Sequence, residues 1–362
     1  MRQLSVNIDI GATMVAISWF LGLVACVVAQ EGTGAKLEWM QKVYGDGRHN
    51  AFTDLAYWRD RYYVCFRHGA SHGSVDGEIR IMRSGDLKAW EPCGRLNTLG
   101  DDRDPHFTVT DETLYVYFGV WDLDHQPGSR PVGRGSVRSG FASSRNGTTW
   151  SKVKAVYEPG FWLWRVRHHD GAFYSLAYTA HRPKPAVREV RLLCSDNGLT
   201  WDAISTVTNK RDSGESDIWF NPDGSVWCVL RTGERPGHGW IHRSDSARRK
   251  WTDVDTGQLI HSPVIANWKD RFFVSGRGRA EGKGYVTKIW ELIDDKAVEL
   301  ITLPSGGDTA YPGLIVDRAS LAEGQPPALF VSWYSQHDKE SETHSTKATA
   351  SVYVGRVVVT RR

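Results

Sequence analysis

Four short polar turns in this chain end in tryptophan at a near-constant interval. SGDLKAW ends at Trp90, SSRNGTTW at Trp150, CSDNGLTW at Trp201 and SDSARRKW at Trp251, so the spacings are 60, 51 and 50 residues. Self-similarity at such a period is the mark of a propeller or solenoid, and it argues against an α/β fold. The segments between the turns read alike. Each holds a run rich in aromatic and β-branched residues: RYYVCFR (61–67), TLYVYFG (113–119), AFYSLAY (172–178), SVWCVLR (225–231), RFFVSGR (271–277) and ALFVSWY (328–334). Such runs are strand formers. Tight-turn pairs such as Arg59-Asp60, Asp170-Gly171, Asp223-Gly224 and Lys269-Asp270 precede them, as in hairpins. No amphipathic helical period of ten residues or more intervenes. Six units of roughly 55 residues predict an all-β, six-bladed β-propeller, with Ser351 to Val359 closing the ring against an N-terminal blade.

The tryptophan turns resemble the Asp-box of the bacterial neuraminidase repeat, S-x-D-x-G-x-T-W. In CSDNGLTW, Cys194 takes the Ser place and Asp196 the Asp place; in SSRNGTTW, Arg145 replaces the Asp. Such a turn works by an acidic side chain capping backbone N–H groups, a glycine at positive φ and a tryptophan wedged between sheets. The 16 tryptophans therefore read mainly as structural, and the 36 glycines, about 10% against an average of roughly 7%, fit a turn-rich chain.

Residues 1–29 read as a separate segment. Arg2 precedes an apolar run from Met14 to Ala29, followed at once by QEGTG. The run is short for a membrane span and right for a signal-peptide core, which leaves 30–362 as a single propeller domain. Two ends for it stay open: cleavage after Ala29, or a lipobox at Leu23-Val24-Ala25-Cys26 that leaves Cys26 as a lipid anchor. Either way the chain is expected to be exported, as a secreted or periplasmic protein or an outer-surface lipoprotein. Four cysteines remain, and disulfides and free thiols both suit their settings. With 45 Lys+Arg against 42 Asp+Glu, nothing in the charge calls for nucleic acid or an anionic membrane as partner. No Cys/His spacing proposes a metal site, and no cofactor motif appears.

The repeat leaves a set of polar residues unexplained. At first-strand starts stand His49, Asn50 and Asp54; Arg103 and Asp104; Arg165 and Arg167; Glu215 and Asp217; Asp308 and Tyr311. Second strands end in Arg67, Arg231 and Arg277. Propeller symmetry would aim equivalent positions at one axis.

The segments FWLWRVRHHDG (161–171), ESDIWFNPDGSVWCVLR (215–231), SPVIANWKDRFFVSGR (262–277) and LPSGGDTAYPGLIV (303–316) give the chain, from about His49 to Val359, a resemblance to exo-α-sialidases of the six-bladed type. The resemblance implies a retaining glycosidase with a tyrosine nucleophile, because a neutral phenol is not repelled by the carboxylate on the sialic-acid anomeric carbon. It assigns Tyr311 as nucleophile, Glu215 as its proton acceptor and Asp76 as acid/base, with His72 nearby and Asp104 in reserve. It also implies an arginine set for the sugar carboxylate. Arg231 and Arg277 match two members; the first falls near HNAFTD (49–54), where no arginine stands, and Arg48, Arg67 or Arg165 is left to fill it. Asp308 joins the substrate-binding set.

The expected partner is accordingly a glycan or glycoconjugate ending in an acidic sugar. Two other readings remain: an Asp-box propeller that binds glycan without cleaving it, and a hydrolase of another sugar working through paired carboxylates such as Asp104 and Glu215.

Overall fold

A computed structural model describes residues 30–122, 137–180, 187–338 and 349–361; the N-terminal apolar segment and Cys26 lie outside these. Six antiparallel sheets are arranged as a six-bladed β-propeller. The innermost strands are His49–Trp58, Asp101–Val109, Phe161–His169, Ser213–Phe220, His261–Trp268 and Ala310–Val316, and they define blades 1 to 6. Second strands lie where the aromatic runs predict, at Arg61–Gly69, Leu114–Trp121, Ala172–Thr179, Val226–Thr232, Arg271–Ala280 and Ala328–Ser335. Closure differs in one respect from the expectation. Ser351–Val359 is the third strand of blade 6, and the N-terminal strand Ala35–Tyr44 comes round to pair with it as the fourth. Strands from near both ends of the described residues thus share one sheet, which closes the ring by main-chain pairing at the seam.

The tryptophan turns tie neighbouring blades. Trp150 Nε1 donates to the carbonyl of Cys93 in blade 1, and Trp251 Nε1 to Ser205 Oγ in blade 3. The turn cap sits one residue later than the sequence match places it. Asn146 Oδ1 accepts from Thr148 N and Thr149 N (3.0 and 2.8 Å), and Asn197 Oδ1 from Leu199 N and Thr200 N (2.8 and 2.9 Å). Ser144 and Ser195 hydroxyls accept from Gly147 N and Gly198 N. Asp86 caps the blade 1 turn in the same way. The amide oxygen of asparagine serves as well as a carboxylate here, which explains how Arg145 is tolerated at its place.

The apolar core lies between adjacent blades. One cluster, for example, joins Tyr63, Cys65 and Ile81 of blade 1 to Val116, Phe118 and Ala142 of blade 2. Cys65, Cys93, Cys194 and Cys228 are all free thiols, three of them buried. No helix among the described residues is long and apolar enough to cross a membrane.

Candidate active site

Every innermost strand carries one more residue than its partner, always at the same register. The irregularities fall between Ala51 and Asp54, Arg103 and His106, Leu163 and Val166, Ser213 and Ser216, His261 and Val264, and Ala310 and Gly313. These six β-bulges hold the pairs Phe52-Thr53, Asp104-Pro105, Trp164-Arg165, Gly214-Glu215, Ser262-Pro263 and Tyr311-Pro312. A bulge re-aims side chains that regular pleating would send to alternate faces. Proline suits its second position because a bulged residue can do without a ladder N–H. Four first residues, Phe52, Asp104, Ser262 and Tyr311, adopt φ of 58°, 51°, 51° and 45°. Left-handed backbone at a bulky residue is strained, and such strain gathers at functional sites.

Tyr311 and Glu215 meet at the centre of this ring. Tyr311 Oη donates to Glu215 Oε1 over 2.7 Å, and Ser262 N donates to Oε2 over 2.8 Å. Arg231 forms an ion pair with Oε1, and its Nη1 lies 3.4 Å from Tyr311 Oη. Burial alone would raise the Glu215 carboxyl, but Arg231, the His261 field and the Tyr311 hydroxyl outweigh it and hold it below the usual range. Burial, reinforced by Glu215, pushes the Tyr311 phenol up. The pair is therefore a neutral phenol donating to an ionised carboxylate, an arrangement from which a phenol can pass its proton as its oxygen forms a new bond.

Arg277 lies 5.1 Å from the Tyr311 ring. Its guanidinium donates to Asp308 Oδ1 (3.0 Å), Tyr334 Oη (2.9 Å) and the Thr309 carbonyl (2.9 Å). Asp104 stands two blades from Tyr311 at the same bulge position. Its Oδ2 accepts from Arg103 Nε (3.2 Å), while Oδ1 is buried with no partner among the described residues. Burial, helped by the Glu215 charge and only partly offset by Arg103, pushes the Asp104 carboxyl up to about 7.

The other expected residues sit elsewhere. Arg67 and Arg277 are equivalent in register, opposite Ala51 and His261, whereas Arg231 lies one residue earlier than Thr232, the equivalent in blade 4. Symmetry thus relates two of the three arginines. Arg67 is fully buried and committed to Asp101 Oδ1 (2.6 Å), the Ser71 carbonyl (2.7 Å) and Ser74 Oγ (2.9 Å), so it holds the loop after its strand. Arg165 is buried among Asp54, Pro263 and Pro312 and braces the ring from within. Asp76 is 42% exposed and paired with Arg48. Hydrogen bonds from Ser74 and Ala70, with the Arg48 charge, overcome its partial burial and hold its carboxyl below the ordinary value, which suits an acid poorly.

One group escaped the sequence reading because its members are far apart in the chain. His49 Nε2 and His72 Nδ1 both contact Asp308 Oδ2, at 3.0 and 2.6 Å, and the three atoms lie within 4.8 Å of one another. The donor set is of a kind that binds zinc. Here Asp308 already balances Arg277, whose guanidinium would stand close to any cation placed there, so the electrostatics favour a hydrogen-bonded cluster that ties the His72 loop to blade 6.

By sequence, neither a family model nor a curated protein matches the chain. By structure it is similar to a protein of unknown function from Dyadobacter fermentans, with a TM-score of 0.73 and 19% identity over 90% of this chain and all of that one. It is also similar to Trypanosoma rangeli sialidase, at a TM-score of 0.62 and 12% identity, covering 86% of this chain and 55% of that one. The same sialidase in complex with sialic acid aligns at 0.58 and 11% identity. The chain spans about half the length of the trypanosome enzyme. These likenesses show the fold, a six-bladed propeller shared with the trypanosome sialidase.

Proposed function

We propose that the chain is a retaining glycoside hydrolase that removes a terminal sugar from a glycan. The observation that carries this reading is the 2.7 Å hydrogen bond from Tyr311 Oη to the ionised Glu215 carboxylate. In the first step Tyr311 Oη bonds to the anomeric carbon as its proton passes to Glu215, and the bond to the leaving-group oxygen breaks. That oxygen takes a proton from Asp104, whose raised carboxyl keeps it protonated near neutrality. In the second step Asp104, now ionised, takes a proton from water as the water oxygen attacks the same carbon. The bond to Tyr311 breaks and Glu215 returns the proton to the phenol. The anomeric configuration is retained because two displacements occur.

Arg231 serves this cycle by holding Glu215 in place and keeping it ionised until the phenol proton arrives. Export through the N-terminal segment would bring such an enzyme to glycans outside the cytoplasm. The resemblance to sialidases adds sialic acid or a relative as the terminal sugar. The reaction type rests on Tyr311 and Glu215, whereas the sugar depends on the charges around them.

Trapping tests the reading. Incubation with fluorinated glycosyl fluorides, 2,3-difluorosialic acid among them, should add one glycosyl mass to the peptide holding Tyr311. Absence of any adduct on that peptide across the panel, together with turnover of a glycoside, would assign the chemistry to the carboxylates instead.

A further inference from the structure

We propose that Arg103 is the positioning residue of Asp104: its guanidinium occupies one oxygen of that carboxyl and leaves the proton to the other. The use of this proton as an acid rests on the glycosidase reading above. Neighbours in a regular strand point to opposite faces and do not bond to one another. Here the bulge at Asp104-Pro105 and the φ of 51° at Asp104 bring the two side chains together, so that Arg103 Nε donates to Asp104 Oδ2 over 3.2 Å. An oxygen that already accepts from the N–H of a cation is a poor place for a hydrogen of its own. Oδ1 has no partner among the described residues, so the proton of the neutral carboxyl belongs there.

Arg103 is itself held on several sides, as a group that orients another must be. Its Nη1 donates to Asp101 Oδ2 over 3.2 Å, and its Cζ lies 3.7 Å from the centre of the Trp121 ring and 4.9 Å from that of Phe52. Asp101 is fixed in turn by Arg67, whose Nε lies 2.6 Å from Oδ1. The loop after the second strand of blade 1 closes over this chain of contacts. A Cβ on Gly77 would stand 2.0 Å from Asp101 Oδ1 and 2.8 Å from Arg67 Nε, so only glycine lets the backbone pass.

The surrounding charges give the arrangement its purpose. Burial raises the Asp104 carboxyl, and the Glu215 charge from blade 4 and the Asp101 charge from its own strand raise it further, while Arg103 opposes them. The phenols of Tyr311 in blade 6 and Tyr178 in blade 3, both pushed up by burial, stay neutral within its field. His49 and His72 of blade 1, which feel Arg103, are held down chiefly by burial and are neutral as well. Arg67 and Arg103 share the single carboxylate of Asp101, so a positive charge remains beside Asp104 when its proton leaves. Without that charge the buried carboxyl would keep its proton through the second displacement, in which the proposed cycle needs the ionised form.

Arg103→Met removes the charge and keeps a long stem against Trp121, whereas Arg103→Lys keeps the charge and loses the Nε contact. Neither change strands a buried anion, since Asp101 keeps Arg67 and a protonated Asp104 needs no cation. The first readout is infrared difference spectroscopy across pH, each protein minus its Asp104→Asn counterpart, so that Asp102 cancels. Wild type should show a protonated carboxyl whose C=O stretch is lowered by a hydrogen bond. In Arg103→Met the stretch should rise and its titration should move up by about one pH unit or more, and in Arg103→Lys the titration should move much less. If either the band or the titration of Arg103→Met matches wild type, the inference is overturned. The second readout is turnover of an alkyl and a 4-methylumbelliferyl glycoside of whichever sugar the wild type cleaves. Arg103→Met should lose at least about 10-fold more kcat/KM on the alkyl glycoside, because the poorer leaving group depends on the proton. Equal losses would mark Arg103 as a general structural residue and overturn the inference. If wild type turns over no glycoside, the glycosidase reading falls and the infrared result alone decides.

Discussion

Arg165 Nη1 donates to Asp54 Oδ1 over 2.8 Å, which joins blade 3 to blade 1 across the interior of the ring. The same guanidinium donates to the carbonyls of Pro263 in blade 5 and Pro312 in blade 6. Four blades are thus tied through one side chain. The Asp54 carboxylate, 4% exposed, also accepts from Phe107 N of blade 2. Arg165→Ala is expected to leave that carboxylate without its cation and to destabilise the fold by about 3–5 kcal/mol. Arg165→Lys restores the charge but not the fork, so its loss should be intermediate. Thermal or denaturant unfolding of the two variants checks this, and equal stability of Arg165→Ala and wild type would remove the bracing role.

Tyr311→Phe separates chemistry from packing. The ring keeps its contacts with Phe52, Trp164 and Tyr334, at centroid distances of 4.9, 6.2 and 6.2 Å. Losing the hydroxyl removes its hydrogen bond to the charged Glu215 and a longer one from Arg231, while Glu215 keeps Arg231 and Ser262 N as partners, so the loss of stability should be about 1.5–3 kcal/mol. Losing a nucleophile lowers turnover by several powers of ten. The expected outcome is a modestly lowered melting temperature with turnover reduced at least about 1,000-fold on whichever glycoside the wild type cleaves. Near-normal turnover would make Tyr311 a packing residue.

The two central carboxyls predict a pH profile. Glu215 sits below its ordinary value of 4.5 and must be ionised to accept the phenol proton, so activity should fall only in strong acid. Asp104 is raised to about 7 and must be protonated to assist departure, so kcat/KM should fall as pH rises past neutrality. Asp104→Asn should abolish that basic limb, and external azide should restore turnover of substrates with activated leaving groups. Asp76→Asn should leave the profile unchanged. Stability carries the same sign: the folded Asp104 holds its proton more tightly than the unfolded chain, whose value is 3.8, so stability falls as pH rises from about 4 to about 7. Asp102, also raised to about 7 by burial, adds a slope of the same sign, so Asp104→Asn should remove only part of it.

The blades were legible because the tryptophan turns are local devices, built from residues within eight positions of one another. Trp150 and Trp251 report the neighbouring blade directly, and the aromatic runs mark the second strands. The cap was misplaced by one residue, since Asp196 is the residue the sequence pattern selects while Asn197 makes the bonds. Pro105, Pro263 and Pro312 were a visible signal for the bulges, because a proline inside a strand pattern argues for a break in the ladder. Arg67 could not be read correctly from spacing. Its partner Asp101 is 34 residues away in another blade, and only the fold shows that the two meet. The same holds for His49, His72 and Asp308.

Two glycines at similar φ should respond differently to alanine, and the contrast tests the turn geometry. Gly198 (φ 71°) ends the capped turn of blade 3, where a Cβ would run into the Tyr117 hydroxyl. That hydroxyl donates to the Gly198 carbonyl over 3.0 Å and is buried, so it cannot simply swing away. Gly171 (φ 79°) lies in the hairpin before Ala172–Thr179, and a Cβ there meets nothing within 4 Å. Gly171→Ala should therefore cost only the left-handed backbone strain, about 1–2 kcal/mol. Gly198→Ala adds a steric conflict and a displaced buried hydrogen bond between blades 2 and 3, and should cost at least about 1–3 kcal/mol more. Denaturant midpoints of the two variants, at unchanged slope, give the comparison. Equal losses would mean that Tyr117 yields freely and that the turn is not clamped by the neighbouring blade.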